Sequence, residues 1–251
     1  MASEIVESVI VVAALLTIIV GATAGIWTHI QNQNRAAEVR YAVTVMSQVG
    51  DSIRDIVYGG RGEGEVVFDF KYGALQIVEE GGVFASLSIS ENRITLANIP
   101  YQYFKYKVPF QVYGSERVYD VGTEVKPFVQ SVASTNVVYH YSEKGDSYVI
   151  GKPQVYIASD LVGNKASAYV YIVKFLDMAG ASTNGVKFTY ERSTPTTTIF
   201  PVGEEADAAL NIRVGGLSEV KEGSFTIQAL QPGQVLEVTV NLIEVGVKWG
   251  R

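Results

Sequence analysis

SVIVVAALLTIIVGATAGIWT, residues 8–28, carries no charge along its whole length. About 20 apolar residues in a helix cross a hydrocarbon core of about 30 Å, so this run is long enough to span one. Glu4 and Glu7 stand before it, and Arg35 is the first fixed positive charge after it. A secretory signal peptide would show a basic flank, an apolar stretch of about 7–15 residues and a small-x-small cleavage site. Here the flank is acidic, the run is longer and helical patterning continues past it. The segment is therefore expected to be retained.

Beyond Trp27, Val39, Val43, Met46, Val49, Ile53 and Val57 recur at three- and four-residue intervals, with Arg40, Gln48, Asp51, Arg54 and Asp55 around them. That spacing predicts an amphipathic helix. No proline occurs before Pro100, and Tyr58-Gly59-Gly60 supplies a stop. The expectation is one helix from about residue 3 to residue 58, roughly 80 Å long at 1.5 Å per residue. Its first half is apolar on every face and must be surrounded by lipid or by other apolar helices. Its second half needs a single apolar partner, which the following domain is expected to supply. Gly21 and Gly25 have small-xxx-small spacing, which lets helices approach closely in an apolar medium. They also mark where a bend would fall. Gly59, Gly60, Gly62 and Gly64 read as a hinge over residues 59–64. Asp51, Arg54 and Asp55 read as exposed pairs or as contacts that dock the head.

From Glu65 onward the period changes to two. Alternating segments at 65–72, 74–78, 83–89, 101–108, 110–113, 128–132, 137–141, 154–158, 168–175, 186–190, 210–214, 224–228 and 235–243 are separated by turn signals. The expectation is an α+β chain: a long N-terminal helix, then an antiparallel β-sandwich head of immunoglobulin-like kind over residues 65–251. Val235 to Trp249 reads as a long closing strand or strand pair, Glu204 to Leu210 as a stretch that could form a short helix, and Ser193 to Thr198 as a hydroxyl-rich loop that could carry O-linked sugar. Whether the head is one sandwich or two is left open, since no linker separates halves.

The net charge of −6 argues against a nucleic-acid partner, which would call for a basic face. With no cysteine, disulfides and thiol chemistry are excluded. The two histidines, His29 and His140, lie far apart in the chain. Gly60 to Gly64 lacks the preceding strand and following lysine of a phosphate loop. Glu204, Glu205 and Asp207 read as a solvated loop face. No asparagine lies in an Asn-x-Ser/Thr sequon. The expectation is a protein that is not an enzyme and holds no cofactor or metal.

The opening MASEIVESVIVVAALL, at the start of a long helix that precedes a β-domain, resembles mature archaeal type IV pilins and archaellins. Ser3-Glu4-Ile5-Val6 is similar to the start of those subunits after leader removal, and residues 50–70 are similar to their helix-to-strand junction. In motif the resemblance covers residues 1–70; beyond that it is architectural. Bacterial type IV pilins place a glutamate at the fifth mature position, where this chain has Ile5 with Glu4 and Glu7 to either side. The resemblance implies a subunit of an extracellular filament on the cell surface, held in the membrane by one pass before assembly. Its implied partners are copies of itself, a prepilin peptidase that cuts a short basic leader, and a pilus assembly platform. The residues it assigns to the filament core are Ile5, Val6, Val9, Ile10, Ala13, Leu16, Ile19, Val20, Gly21, Gly25 and Trp27, with Glu4 and Glu7 as the N-terminal charges. Adhesion is the role expected of the large Tyr-rich head. A motility filament and a monomeric anchored stator or envelope-binding protein are the alternatives.

Overall fold

A computed structural model describes residues 2–89, 92–110, 117–120, 130–131, 137–143, 146–151, 155–202, 206–215 and 221–250. Helix α1 runs unbroken from Ala2 to Tyr58, through Gly21, Gly25 and Gly50. Strands follow: β1 Glu63–Val67, β2 Ala74–Ile89, β3 Asn92–Val108, β4 Arg117–Asp120, β5 Gln130–Ser131, β6 Val137–Glu143 and β7 Asp146–Gly151. The series closes with β8 Val155–Val162, β9 Lys165–Leu176, β10 Ala181–Ser182, β11 Gly185–Pro201, β12 Ala206–Gly215, β13 Lys221–Leu230 and β14 Val235–Trp249. The chain is thus one long N-terminal helix and a mostly antiparallel β-domain.

Among the described residues the strands form two sheets. One has the order β1-β11-β14-β9-β8-β5; the other runs β13-β12-β2-β3-β7-β6-β4, with β10 paired to β2. Two pairings depart from the antiparallel expectation. β14 lies parallel to β9 over twelve residue pairs, from Val235↔Lys165 to Gly246↔Leu176, and β5 lies parallel to β8. The segments expected at 74–78 and 83–89 are one strand, β2, with an irregularity between Glu79 and Gly82 where Gly81 takes a positive φ of 73°. The short helix expected from Glu204 to Leu210 is absent where the chain is described: Ala206–Gly215 is strand β12, held between β2 and β13. AlaAspAlaAla favours helix locally, but pairing on both edges overrides propensity. Ser193 to Thr198 is likewise strand, the middle of β11, and not a loop. Of the segment expected at 110–113, residues 111–113 lie outside the described residues, as do 128–129 and 132 of the segment expected at 128–132.

The buried side chains form two clusters, and several strands serve both. In β9, Ala166, Ala168, Val170 and Ile172 enter one cluster while Val173 and Phe175 enter the other. In β14, Leu236, Val238 and Val240 belong to the first, and Ile243, Val245 and Val247 to the second. Neighbouring side chains on a strand face opposite ways. A strand with both faces covered therefore reads as a nearly continuous apolar run, as AlaTyrValTyrIleVal does at 168–173.

The second cluster is where the helix joins the head. Val39, Ala42, Val45, Met46, Val49, Ile53 and Ile56 are buried there against Phe104, Tyr106, Phe175 and Phe188. The buried line is 39, 42, 46, 49, 53, 56, a steady three-four alternation that keeps one stripe facing the core. Val43 and Val57, expected in the stripe, flank it as half-buried neighbours. The head thus supplies the apolar partner that the amphipathic half needs.

Candidate functional site

The other half of α1 has no such partner within the chain. Ile10, Leu16, Ile19, Val20 and Trp27 are exposed, Ile18 is 66% exposed, and Ala13 is exposed with them. This is a long apolar N-terminal helix of the kind that anchors in a membrane or serves as a signal segment, with a mean hydropathy of 2.3 in its best window. The threonine hydroxyls along it are satisfied internally. Thr17 donates to the Ala13 carbonyl at 2.9 Å, Thr23 to that of Ile19 at 2.8 Å, and Thr28 to that of Ala24 at 2.9 Å. A hydroxyl turned back on its own helix presents no unmet donor to an apolar surrounding. Gly21 and Gly25, four residues apart on one face, have no atom within 4 Å of where a Cβ would stand. Ile5, Val6, Val9, Glu4 and Glu7 lie on the same helix, but their side chains fall outside the described residues.

Where the bare helix becomes the packed one, a carboxylate ties it to the head. Glu38 is buried, and its Oε1 accepts hydrogen bonds from the Lys71 amide at 2.7 Å, the Tyr72 amide at 3.1 Å and the Tyr106 hydroxyl at 2.7 Å. The loop between β1 and β2 thereby has two backbone donors met by the helix. Burial, and then the hydrogen bond and charge of Glu38, push the Tyr106 phenol well above its ordinary pKa of 10.0. Sequence reasoning missed Glu38. A lone glutamate in a helix reads as solvated, and its partners stand more than 30 positions away. Around it, the Arg35 guanidinium lies 4.8 Å from the centre of the Phe110 ring, Tyr72 meets Phe110 edge-on at 5.4 Å, and Tyr41 meets Phe70 at 5.6 Å.

At the far end of the helix, the Gly59 amide donates to the Asp55 carbonyl at 2.8 Å, and Gly60 adopts φ 65°. A left-handed residue just past the last turn is how a helix commonly ends, and glycine takes it without Cβ strain. Arg54 pairs with Asp51 at 3.2 Å, and Arg61 with Asp55 at 3.3 Å. Gly62 precedes β1, and its carbonyl accepts from the Tyr190 amide at 2.8 Å. Gly64 is already within β1, paired to Phe188 and pressed on the Ser52 side chain. Of the four hinge glycines, then, only Gly59 and Gly60 lie between helix and strand without a strand contact of their own. A cavity of about 270 Å³ opens here, lined among others by Ile56, Arg61, Tyr171, Tyr190, Ser193 and Asn241.

The chain matches no family model, no curated protein and no solved structure. What the chain offers is therefore to be read from its own geometry. Among the described residues no group of three His, Asp or Glu side chains could hold a metal ion. Glu204 and Glu205 lie outside the described residues. His140 is on β6, opposite Arg117 and Val149, with its side chain outside them. The feature that asks for a partner is the uncovered helix.

Proposed function

We propose that this chain is the structural subunit of an extracellular filament of archaeal type IV pilus kind, assembled by packing the N-terminal helices of many copies. The observation that carries this reading is the division of α1: residues 39–56 are covered by the head, while the apolar side chains from Ile10 to Trp27 face outward. In a bundle of identical helices that surface is buried against its own kind. At about 25 cal/mol per Å², burying on the order of 2,000 Å² per subunit is favourable by tens of kcal/mol relative to water. The cost of association offsets part of this. A contact that repeats without closing gives a helical filament.

In the same proposal the helix waits in a membrane before assembly, a prepilin peptidase and an assembly platform handle it, and the heads face outward to mediate adhesion. The immunoglobulin-like character of the head belongs here too. Two sheets contributing to common buried clusters support it, and the parallel β9–β14 and β5–β8 pairings depart from it. A rotating motility filament would use the same core. A membrane-anchored monomer is the second reading, favoured by the internally bonded hydroxyls of Thr17, Thr23 and Thr28, which suit lipid as well as a helix bundle.

Material sheared from cells that make the protein tests this. Uniform filaments composed of this chain in negative stain are the expected outcome. Recovery of the chain only from detergent-solubilised membranes, as a monomer, would overturn the filament reading and favour the anchored one. Deletion cells that still attach but no longer swim would assign the filament to motility.

A further inference from the structure

Strand β11 continues well past the five residues that pair with β1. From Glu191 to Pro201 its outer edge has no partner strand among the described residues, while its inner edge stays paired to β14. Eight consecutive residues, Tyr190 to Thr197, are exposed. Since successive side chains of a strand face opposite ways, an unbroken exposed run means that neither face of this segment is covered.

From Ser193 to Phe200 the segment reads SerThrProThrThrThrIlePhe, without a charge. A long, uncharged edge rich in β-branched residues is a template for pairing with other chains, and proteins blunt such edges with charge, bulges or proline. Here a bulge between Tyr190 and Arg192 and the ring of Pro195 serve that end. Proline is tolerated in a strand where its nitrogen faces away from the partner. Pro195 therefore removes a donor from the free edge and interrupts any continuous strand that might be added there.

The reactive groups on the segment are hydroxyls. Thr197 shares its own with Thr239 at 3.0 Å, and Ser193 borders the cavity beside Arg61. Thr194 and Thr196 stand on one face, to either side of Pro195, exposed and opposite Leu242 and Val240. Hydroxyls along α1 are used differently: those of Thr17, Thr23, Thr28, Thr44 and Ser47 are bonded back to helix carbonyls. A transferase that reads an extended acceptor needs an open edge and open faces, and this segment offers both.

We propose that Thr194 and Thr196 are sites of O-glycosylation, and that the attached sugar covers this edge. In the transfer, the threonine Oγ attacks the anomeric carbon of a sugar activated as a nucleotide- or lipid-linked phosphate ester. The bond from that carbon to the phosphate oxygen breaks, and the phosphate leaves with the electron pair. The hydroxyl proton passes to a base of the transferase, and the new glycosidic bond carries the sugar without any change of oxidation state. The proposal does not rest on the filament reading, because the modification is measured whether or not the chain polymerises.

The test is mass spectrometry of the full chain purified from cells that naturally make it, with electron-transfer fragmentation of the tryptic peptide 193–213. Sugar-residue increments on Thr194 and Thr196 are expected. Thr194→Val and Thr196→Val together, which keep the β-branched shape, should remove those increments from the intact mass. A bare native peptide, or a phosphate increment in place of sugar, would overturn the proposal. So would a bare peptide whose amides exchange slowly only in assembled material, which would assign the edge to strand addition by a second copy.

Discussion

Glu38 shows how a single carboxylate can tie a helix to the strands and loop it packs against. Its Oε1 accepts from two part-buried backbone amides and from the buried Tyr106 phenol. Each buried donor left without a partner costs about 1–3 kcal/mol. Glu38→Ala is therefore expected to lower the stability of the detergent-solubilised chain by about 1–3 kcal/mol, read from denaturant unfolding. Glu38→Gln keeps an acceptor oxygen and should cost far less; equal losses from both variants would mean that packing, not hydrogen bonding, holds the junction. A second prediction concerns alkali. Burial raises the phenols of Tyr58, Tyr106 and Tyr156 above 10.0, with Tyr171 adding to the first, Glu38 to the second and Tyr58 to the third. A raised folded-state pKa means that the unfolded chain sheds its proton first as pH climbs. The stabilisation is whole below about pH 10 and declines above it, by up to about 1.4 kcal/mol per pH unit for each phenol. Unfolding midpoints between pH 9 and 11.5 should show this decline, and Tyr156→Phe should make it shallower.

Helix α1 carries two different environments on one continuous element, and substitutions should separate them. Ile53 is fully buried in the head, whereas Ile18 is exposed. Truncating a buried isoleucine to alanine costs about 2–5 kcal/mol, so Ile53→Ala should lower the thermal midpoint markedly. Ile18→Ala should leave the same midpoint within about 0.5 kcal/mol of the parent; a comparable loss at both positions would show that the outer half supports the fold of the single chain. The helix was the most legible part of the sequence. Its two halves, its stop at Tyr58 and its core stripe all follow from spacing, because those contacts repeat every three or four residues. The sheets were legible as alternation but not as partners. Nothing local in β14 announces that it lies parallel to β9, some 70 residues earlier. The hydroxyl and proline residues of Ser193 to Thr198 signal a turn, yet pairing with β14 extends the segment into a strand. Of the candidate site, residues 10–27 were visible from composition alone. Glu38 was not, since a buried carboxylate is recognised by the donors around it and not by its neighbours in sequence.

At the scale of the whole molecule, the head packs on the inner half of α1 while the outer half stays uncovered, which is the half the proposed filament would bury. Assembly and folding are then separable properties, and the glycines are where to separate them. A Cβ at Gly21 or Gly25 meets nothing within 4 Å in the single chain, so a larger side chain there cannot disturb the fold of that chain by contact. In the proposed bundle, small residues at these positions would let neighbouring helices approach closely, and leucine would hold them apart. Gly21→Leu and Gly25→Leu are expected to leave the unfolding midpoint and membrane insertion unchanged, and to reduce the filament yield from sheared cells severalfold. Normal yield from both variants would show that close approach at these glycines is not part of the filament core. Loss of insertion itself would place their role in the membrane, before any assembly begins.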